Sequence, residues 1–254
     1  MKLIKYIFLG VILCSCTKEE LITNPEKPNQ VNLNRKMLRS VQSDDMSKSF
    51  SYNRDSTIHI IREERNGVFD SEKKFFYKNG RLDEIRYRNT FSKHDAIGIL
   101  EYDNDLLVKV TTEKNNEIIA IEEYYYDNNK QLIKQIQKQE WNSDVNKQTR
   151  VIDINKVSGK NEIQLKYNGE LKFIITYDEH ISPYANIKGY SKYYTSHLHG
   201  ITNNIVRFEK ILKNGNSDTE LTELVFDSSM KYLIENTKKG ENQQLICKET
   251  FIYN

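Results

Sequence analysis

The sequence lacks the short motifs that mark many enzymes: its 254 residues contain no G-x-S-x-G elbow, no H-E-x-x-H helix, no P-loop and no C-x-x-C pair. No catalytic residue and no cofactor is assigned on that basis. A charge excess is missing too. Lysine and arginine number 38 and the acids 36; residues 1–15 hold Lys2 and Lys5 and no acid, so without them the counts are 36 and 36. Balanced, interspersed charge offers no electrostatic case for nucleic acid. Cysteine is scarce as well. Of three, Cys14 and Cys16 lie in the N-terminal leader, which leaves Cys247 without a partner for an internal disulfide. Standing alone in a strand-like context, Cys247 is expected to be a small buried residue rather than a nucleophile.

What is present begins with the leader. Lys2 and Lys5 precede an apolar run from Tyr6 to Leu13, the pattern of an export signal too short to span a bilayer as a permanent helix. The stretch Leu13-Cys14-Ser15-Cys16 resembles the lipobox of bacterial lipoproteins. That resemblance implies diacylation of the Cys16 thiol, cleavage after residue 15 and acylation of the new amine; a plain secretory peptide is the alternative. The lipid would make this an anchored protein, with the membrane as a partner through its N-terminus. Lys18-Glu19-Glu20 resembles the surface-export signal of Bacteroidota lipoproteins, which implies an outer-membrane location facing the cell exterior rather than the periplasm.

Residues 16–45 read as lipidated N-terminus and polar tether, with Pro25 and Pro28 and no sustained period. If flexible, it would hold a domain about 25 to 30 Å from the lipid. Lys36 to Val41 alternates enough to be a first strand. Residues 46–254 are expected to form the domain.

Within that domain one pattern recurs. Phe50-Ser51-Tyr52-Asn53, Phe75-Phe76-Tyr77-Lys78-Asn79-Gly80, Leu100-Glu101-Tyr102-Asp103-Asn104-Asp105 and Tyr124-Tyr125-Tyr126-Asp127-Asn128-Asn129 place their last aromatic at 52, 77, 102 and 126. Looser copies end at Tyr167, Phe226 and Tyr253. A fixed period of this size marks a repeated supersecondary unit. Residues two apart share one strand face, and the Asp, Asn and Gly that follow favour a turn. Leu82 with Ile85, Leu132 with Ile136 and Leu171 with Ile174 carry the chain back. The expected fold is all-β: a curved antiparallel sheet of consecutive β-hairpin repeats, with a short helix near 183–189 started by Ser182 and Pro183. Over residues 50–254 the sequence resembles the tyrosine-aspartate (YD) repeat family, in the degenerate form of Bacteroidota lipoproteins; Tyr102-Asp103, Tyr126-Asp127 and Tyr177-Asp178 keep the dipeptide and Tyr77-Lys78 departs from it. The resemblance implies fold and location and carries no reaction.

Among the sixteen tyrosines, Tyr52, Tyr77, Tyr102, Tyr126 and Tyr167 recur with the repeat and are expected to pack as a cross-strand ladder. Tyr184, Tyr190, Tyr193 and Tyr194 fall outside the register, around Pro183, and are the candidate ligand-binding residues. His197 and His199, with His180, could be imagined around zinc, but two histidines on a strand are commoner without metal. Asp103 to Asp105 and Asp127 to Asn129 lack calcium-loop spacing and read as turns. No metal is assigned. The sequence therefore points to a surface-exposed, lipid-anchored, non-catalytic module that binds a glycan, peptide or envelope partner. The alternatives are a structural component of an envelope assembly and a carboxylate-dependent glycoside hydrolase, whose acid pair no spacing would betray.

Overall fold

Ile58 and Ile61, Leu82 and Ile85, and Leu107 and Val110 stand three residues apart, yet all six are buried. On a regular strand, side chains three apart face opposite sides of the sheet. A bulge in each hairpin removes the conflict. Tyr52 pairs with Ile58 while Ser51 pairs with Ile60; Tyr77 pairs with Leu82 while Phe76 pairs with Glu84; Tyr102 pairs with Leu107 while Glu101 pairs with Lys109. One extra residue returns both apolar side chains to the inner face and bends the strand. The offset recurs where Tyr126 meets Leu132 and where Phe226 meets Leu233.

The computed structural model describes residues 36–90, 95–140, 147–212 and 214–254; the leader, Cys16, Lys18 to Glu20 and the tether up to 35 lie outside the described residues. The first eight strands are β1 (Leu38–Gln42), β2 (Met46–Tyr52), β3 (Ile58–Arg65), β4 (Val68–Lys78), β5 (Arg81–Asn89), β6 (Ala96–Asp103), β7 (Leu106–Lys114) and β8 (Glu117–Tyr126). After them come β9 (Leu132–Glu140), β10 (Lys147–Lys156), β11 (Glu162–Tyr167), β12 (Glu170–Ile181), α1 (Ser191–His197), β13 (Asn203–Ile211), β14 (Ser217–Phe226), β15 (Leu233–Lys239) and β16 (Leu245–Tyr253). Each strand pairs antiparallel with its neighbours in sequence, and β1 pairs with β16 through Val41 opposite Phe251, closing a barrel. The expected sheet of hairpins is therefore a ring without free edges. The folded unit starts at Lys36 rather than at 46, because β1 supplies the closing strand. The helix falls at 191–197, while residues 183–190 form turns and a bend.

Turns alternate between two rims. Rim A holds the turns after Tyr52, Tyr77, Tyr102, Tyr126, Lys156 and Phe226, the insert 182–202, and the two chain positions Lys36 and Asn254. Rim B holds the opposite turns. Tyr167-Asn168-Gly169 joins β11 to β12 at rim B, so Tyr167 is not part of the rim A series. Its motif carries the same turn chemistry, with Asn168 and Gly169 both at positive φ, but on a strand running the other way.

The rim A tyrosines are tied sideways. Tyr52 donates its hydroxyl to the carbonyl of Leu38 at 2.6 Å, Tyr77 to Ile58 at 2.9 Å, Tyr126 to Leu107 at 2.8 Å and Tyr253 to Leu233 at 2.8 Å. Each bond reaches the first buried residue of the preceding strand, which explains tyrosine rather than phenylalanine at these positions. Outside, charges pair across the wall: Arg62 with Glu64, Arg86 with Glu84, Lys109 with Glu101 and Lys138 with Glu123 at 2.6 to 3.1 Å. The Arg86 guanidinium also covers the Phe76 ring at 4.7 Å. A basic side chain facing lipid costs about 2–4 kcal/mol at the bilayer midplane, so this wall suits water.

Replacing Tyr77 by Phe removes one rim bond and should lower urea stability by about 1 kcal/mol, whereas Leu82→Ala leaves a core cavity and should cost about 2–5 kcal/mol. Equal losses would contradict the separate roles of rim and core. Burial pushes the Tyr52 and Tyr102 hydroxyls up to about 12 from the usual value near 10. The folded chain then keeps protons that the unfolded chain releases, so stability is full below pH 10 and falls between pH 10 and 12. The part of the tyrosinate absorbance that a Tyr52→Phe, Tyr102→Phe variant loses should rise together with the change in circular dichroism through that window; that part rising from pH 10 while the dichroism holds would contradict it.

Candidate functional site

Insert 182–202 turns inward from rim A and brings the four candidate tyrosines together. Tyr184 stacks on Tyr194 at 5.5 Å and lies 6.0 Å from Phe50 and 6.2 Å from Phe251; Tyr190 meets Phe75 edge-on at 5.4 Å. The Tyr193 hydroxyl is 2.6 Å from that of Tyr87, and Tyr194 is 3.1 Å from the Ser182 hydroxyl. Burial raises all four hydroxyls, that of Tyr194 to about 12. These rings form an aromatic plug whose faces pack on other protein rings. The plug is latched to the wall: the Ile58 N–H donates to the Lys188 carbonyl at 3.1 Å, and the Lys188 ammonium donates to the Asp55 carbonyl at 2.8 Å.

Toward rim B the inward side chains become polar. Lys48 and Glu63 pair at 3.3 Å beside Lys73, whose ammonium is pushed down by burial. The Tyr124 hydroxyl and the Gln135 amide both donate to Glu122, at 2.5 and 3.4 Å. On the other side Asn236 donates to Glu249 at 2.9 Å. Gln135 and Asn236 stand where other repeats bury Ile61, Ile85 and Val110. Pairing Leu132 with Ile136 in sequence missed this, because without the bulge Gln135 counts as outward.

The rim A aromatics have one gap. Toward rim A, β2, β4, β6, β8, β12, β14 and β16 carry Tyr52, Tyr77, Tyr102, Tyr126, Tyr177, Phe226 and Tyr253 at or near their ends, whereas β10 closes with Ile154-Asn155-Lys156. At the gap a cleft of about 490 Å³ opens between Tyr126 and Tyr177. Leu132, Ile154, Ile163 and Ile201 floor it, Ser196, Thr202 and Asn203 supply hydroxyl and amide groups, and Lys130, Lys156 and Lys192 stand at its edge. A second hollow of about 690 Å³, lined by Lys78, Arg81, Asp83 and Tyr102, meets it at Asp105, Ser191 and Lys192. There the Lys192 ammonium lies 3.1 Å from Asp105 and holds its carboxyl below the usual range. Arg81 lies 4.4 Å over the Tyr102 ring and donates to the Asn104 carbonyl at 3.0 Å. In the sequence the copy ending at Tyr167 stands between Tyr126 and Tyr177 and hides this gap, which shows only once Tyr167 is placed at rim B.

The remaining candidates are dispersed. His180 lies 3.2 Å from Asp178 and 4.4 Å from the Phe226 ring, His199 lines the cleft at φ +54°, and the side chain of His197 lies outside the described residues. Among the described residues no three His, Cys, Asp or Glu side chains group to hold a metal. Asp127 accepts from the backbone of Asn129 and Gln131 at 2.9 and 2.8 Å, and Asp103 from the Asn104 amide at 3.0 Å, which is turn chemistry. Cys247 is half-buried on the face shared with Glu249 and Phe251, where burial raises its thiol.

Gly189 sits at φ +81° with the Tyr77 hydroxyl 2.6 Å from where a Cβ would stand. Gly189→Ala therefore adds backbone strain and a clash, and should destabilise by about 1–3 kcal/mol while exposing plug tyrosines to fluorescence quenchers. Unchanged stability would show that the insert docks loosely.

No protein-family model matches the sequence, and no curated protein matches it. Among solved structures, a porin-like protein from Bacteroides uniformis is similar with a TM-score of 0.51 and 10% identity, over 85% of this chain and 95% of that one. A porin-like protein from Bacteroides vulgatus aligns with a TM-score of 0.48 and 12% identity, over 87% of this chain and 99% of that one. At 10% identity the first likeness shows a common barrel fold.

Proposed function

We propose that this chain is a lipid-anchored, non-catalytic glycan-binding barrel at the outer-membrane surface. The observation that carries the reading is the cleft at the gap in the aromatic rim, where an apolar floor lies between two tyrosines and hydroxyl and amide groups ring the wall. Sugars present an apolar ring face and a rim of hydroxyls, and this lining answers both. Among the described residues lining that cleft the one carboxylate, Asp105, is engaged by Lys192, which favours binding over acid-pair hydrolysis. Anchoring follows from Cys16, and the charge-paired outer wall favours a barrel standing in water on its tether over one spanning the bilayer. The porin-like neighbour from Bacteroides uniformis fits an envelope address.

The assembly alternative has one observation in its favour. Val225, Ile234 and Ile252 lie on neighbouring strands of the outer wall near rim A and are 47%, 37% and 36% exposed, a small apolar patch suited to a protein partner.

The test joins location to ligand. Native chain should fractionate with membranes and be digested by protease added to intact cells, whereas Cys16→Ser should be released; the purified Cys16→Ser chain should bind sugars on a glycan array. Binding should fall about tenfold in Lys156→Tyr, which places a tyrosine at the register position where the other strands carry the rim aromatic and fills the cleft. A folded chain that binds no sugar and copurifies with an envelope protein would replace this function with the assembly one.

A further inference from the structure

The two hollows at rim A carry an uneven charge. Lys78, Arg81, Lys130, Lys156 and Lys192 line them against two acids, Asp83 and Asp105, and Lys192 already occupies Asp105. Beyond residue 15 the chain has equal numbers of basic and acidic residues, so three surplus cations in the lining of these two hollows are a local concentration rather than a share of a general excess. The hollows meet at Ser191 and Lys192 and together offer a path longer than one sugar ring. Cations stand at both ends of it: Lys78 and Arg81 beyond the meeting point on one side, Lys130 and Lys156 on the other.

We infer that this path holds an acidic oligosaccharide, with successive carboxylate or sulfate groups meeting the cations at the two ends and a ring face resting on the apolar floor between Tyr126 and Tyr177. The inference rests on the barrel being a glycan-binding module and adds the ligand's charge and length. A neutral glycan would leave the ammonium and guanidinium groups unused. An acyl chain ending in one carboxylate would occupy the floor and leave the second hollow empty.

The test uses the full chain with Cys16→Ser and five probes: an oligogalacturonate, its neutral methyl ester, a sulfated dextran oligomer, plain dextran and dodecanoate. Calorimetry should show the acidic oligomers binding at least about tenfold more tightly than their neutral counterparts, with affinity falling as salt rises. Arg81→Gln, Lys130→Gln and Lys156→Gln combined should remove about tenfold of that preference with the circular dichroism spectrum unchanged. The control set Arg62→Gln, Arg86→Gln and Lys109→Gln, on the outer wall, should leave it intact. Preference for carboxylate over sulfate, or the reverse, identifies which anion the path takes. Equal binding of acid and ester overturns this inference and leaves glycan binding standing. Equal loss in the outer-wall control overturns it as diffuse attraction. Binding of dodecanoate with no oligosaccharide bound overturns both this inference and the glycan function.

Discussion

A phenol hydroxyl given to a neighbouring strand's carbonyl sets the geometry of rim A. The donor belongs to an even-numbered strand and the acceptor to the first buried residue of the strand before it, as in Tyr77 to Ile58 and Tyr253 to Leu233. Such a bond is modest alone, but repeated around a ring it fixes the spacing of strand ends and keeps the apolar start of each strand out of water. The bulge opposite each aromatic serves the same end, because it turns an apolar spacing of three into two inward side chains.

From that constraint the rest follows by subtraction and addition. Where β10 has no rim aromatic, nothing fills the space between Tyr126 and Tyr177, and a cleft results. Where the chain leaves β12 it adds an insert, and the apolar and aromatic side chains of that insert find their only dry surroundings inside the ring, against Phe50, Phe75 and Phe251. Plug and cleft are therefore neighbours: Thr195, Ser196 and Ile201 of the insert form part of the cleft wall.

Charge divides by face. On the outer wall, ion pairs two residues apart or across a rung are exposed and contribute little stability each, but they bear on which solvent the wall tolerates. Inside, toward rim B, charges appear with partners in reach, as in Lys48 with Glu63 and Asn236 with Glu249, because an unpaired inward charge would be costly. In the two hollows at rim A the pairing is incomplete, and the surplus is basic.

Much of the fold was legible because it is local. The recurring aromatic, the Asp or Asn after it and the alternation before it specify a hairpin wherever they occur, and Tyr52, Tyr77, Tyr102 and Tyr126 are placed as that pattern predicts. Three things depended on contacts between residues distant in the chain. Closure needed Val41 to meet Phe251, which no local period encodes. Tyr167 carries the same motif as its counterparts but lies at rim B, since the rim a turn occupies depends on how many strands precede it. Tyr184, Tyr190, Tyr193 and Tyr194 were correctly set apart from the repeat, yet whether an insert folds outward as a platform or inward as a plug is decided by the empty interior it can fill. The sequence by itself determined the repeating unit; tertiary structure alone decided that the unit closes on itself and that the ring lacks an aromatic where β10 reaches rim A, because both are properties of the ring rather than of any hairpin in it.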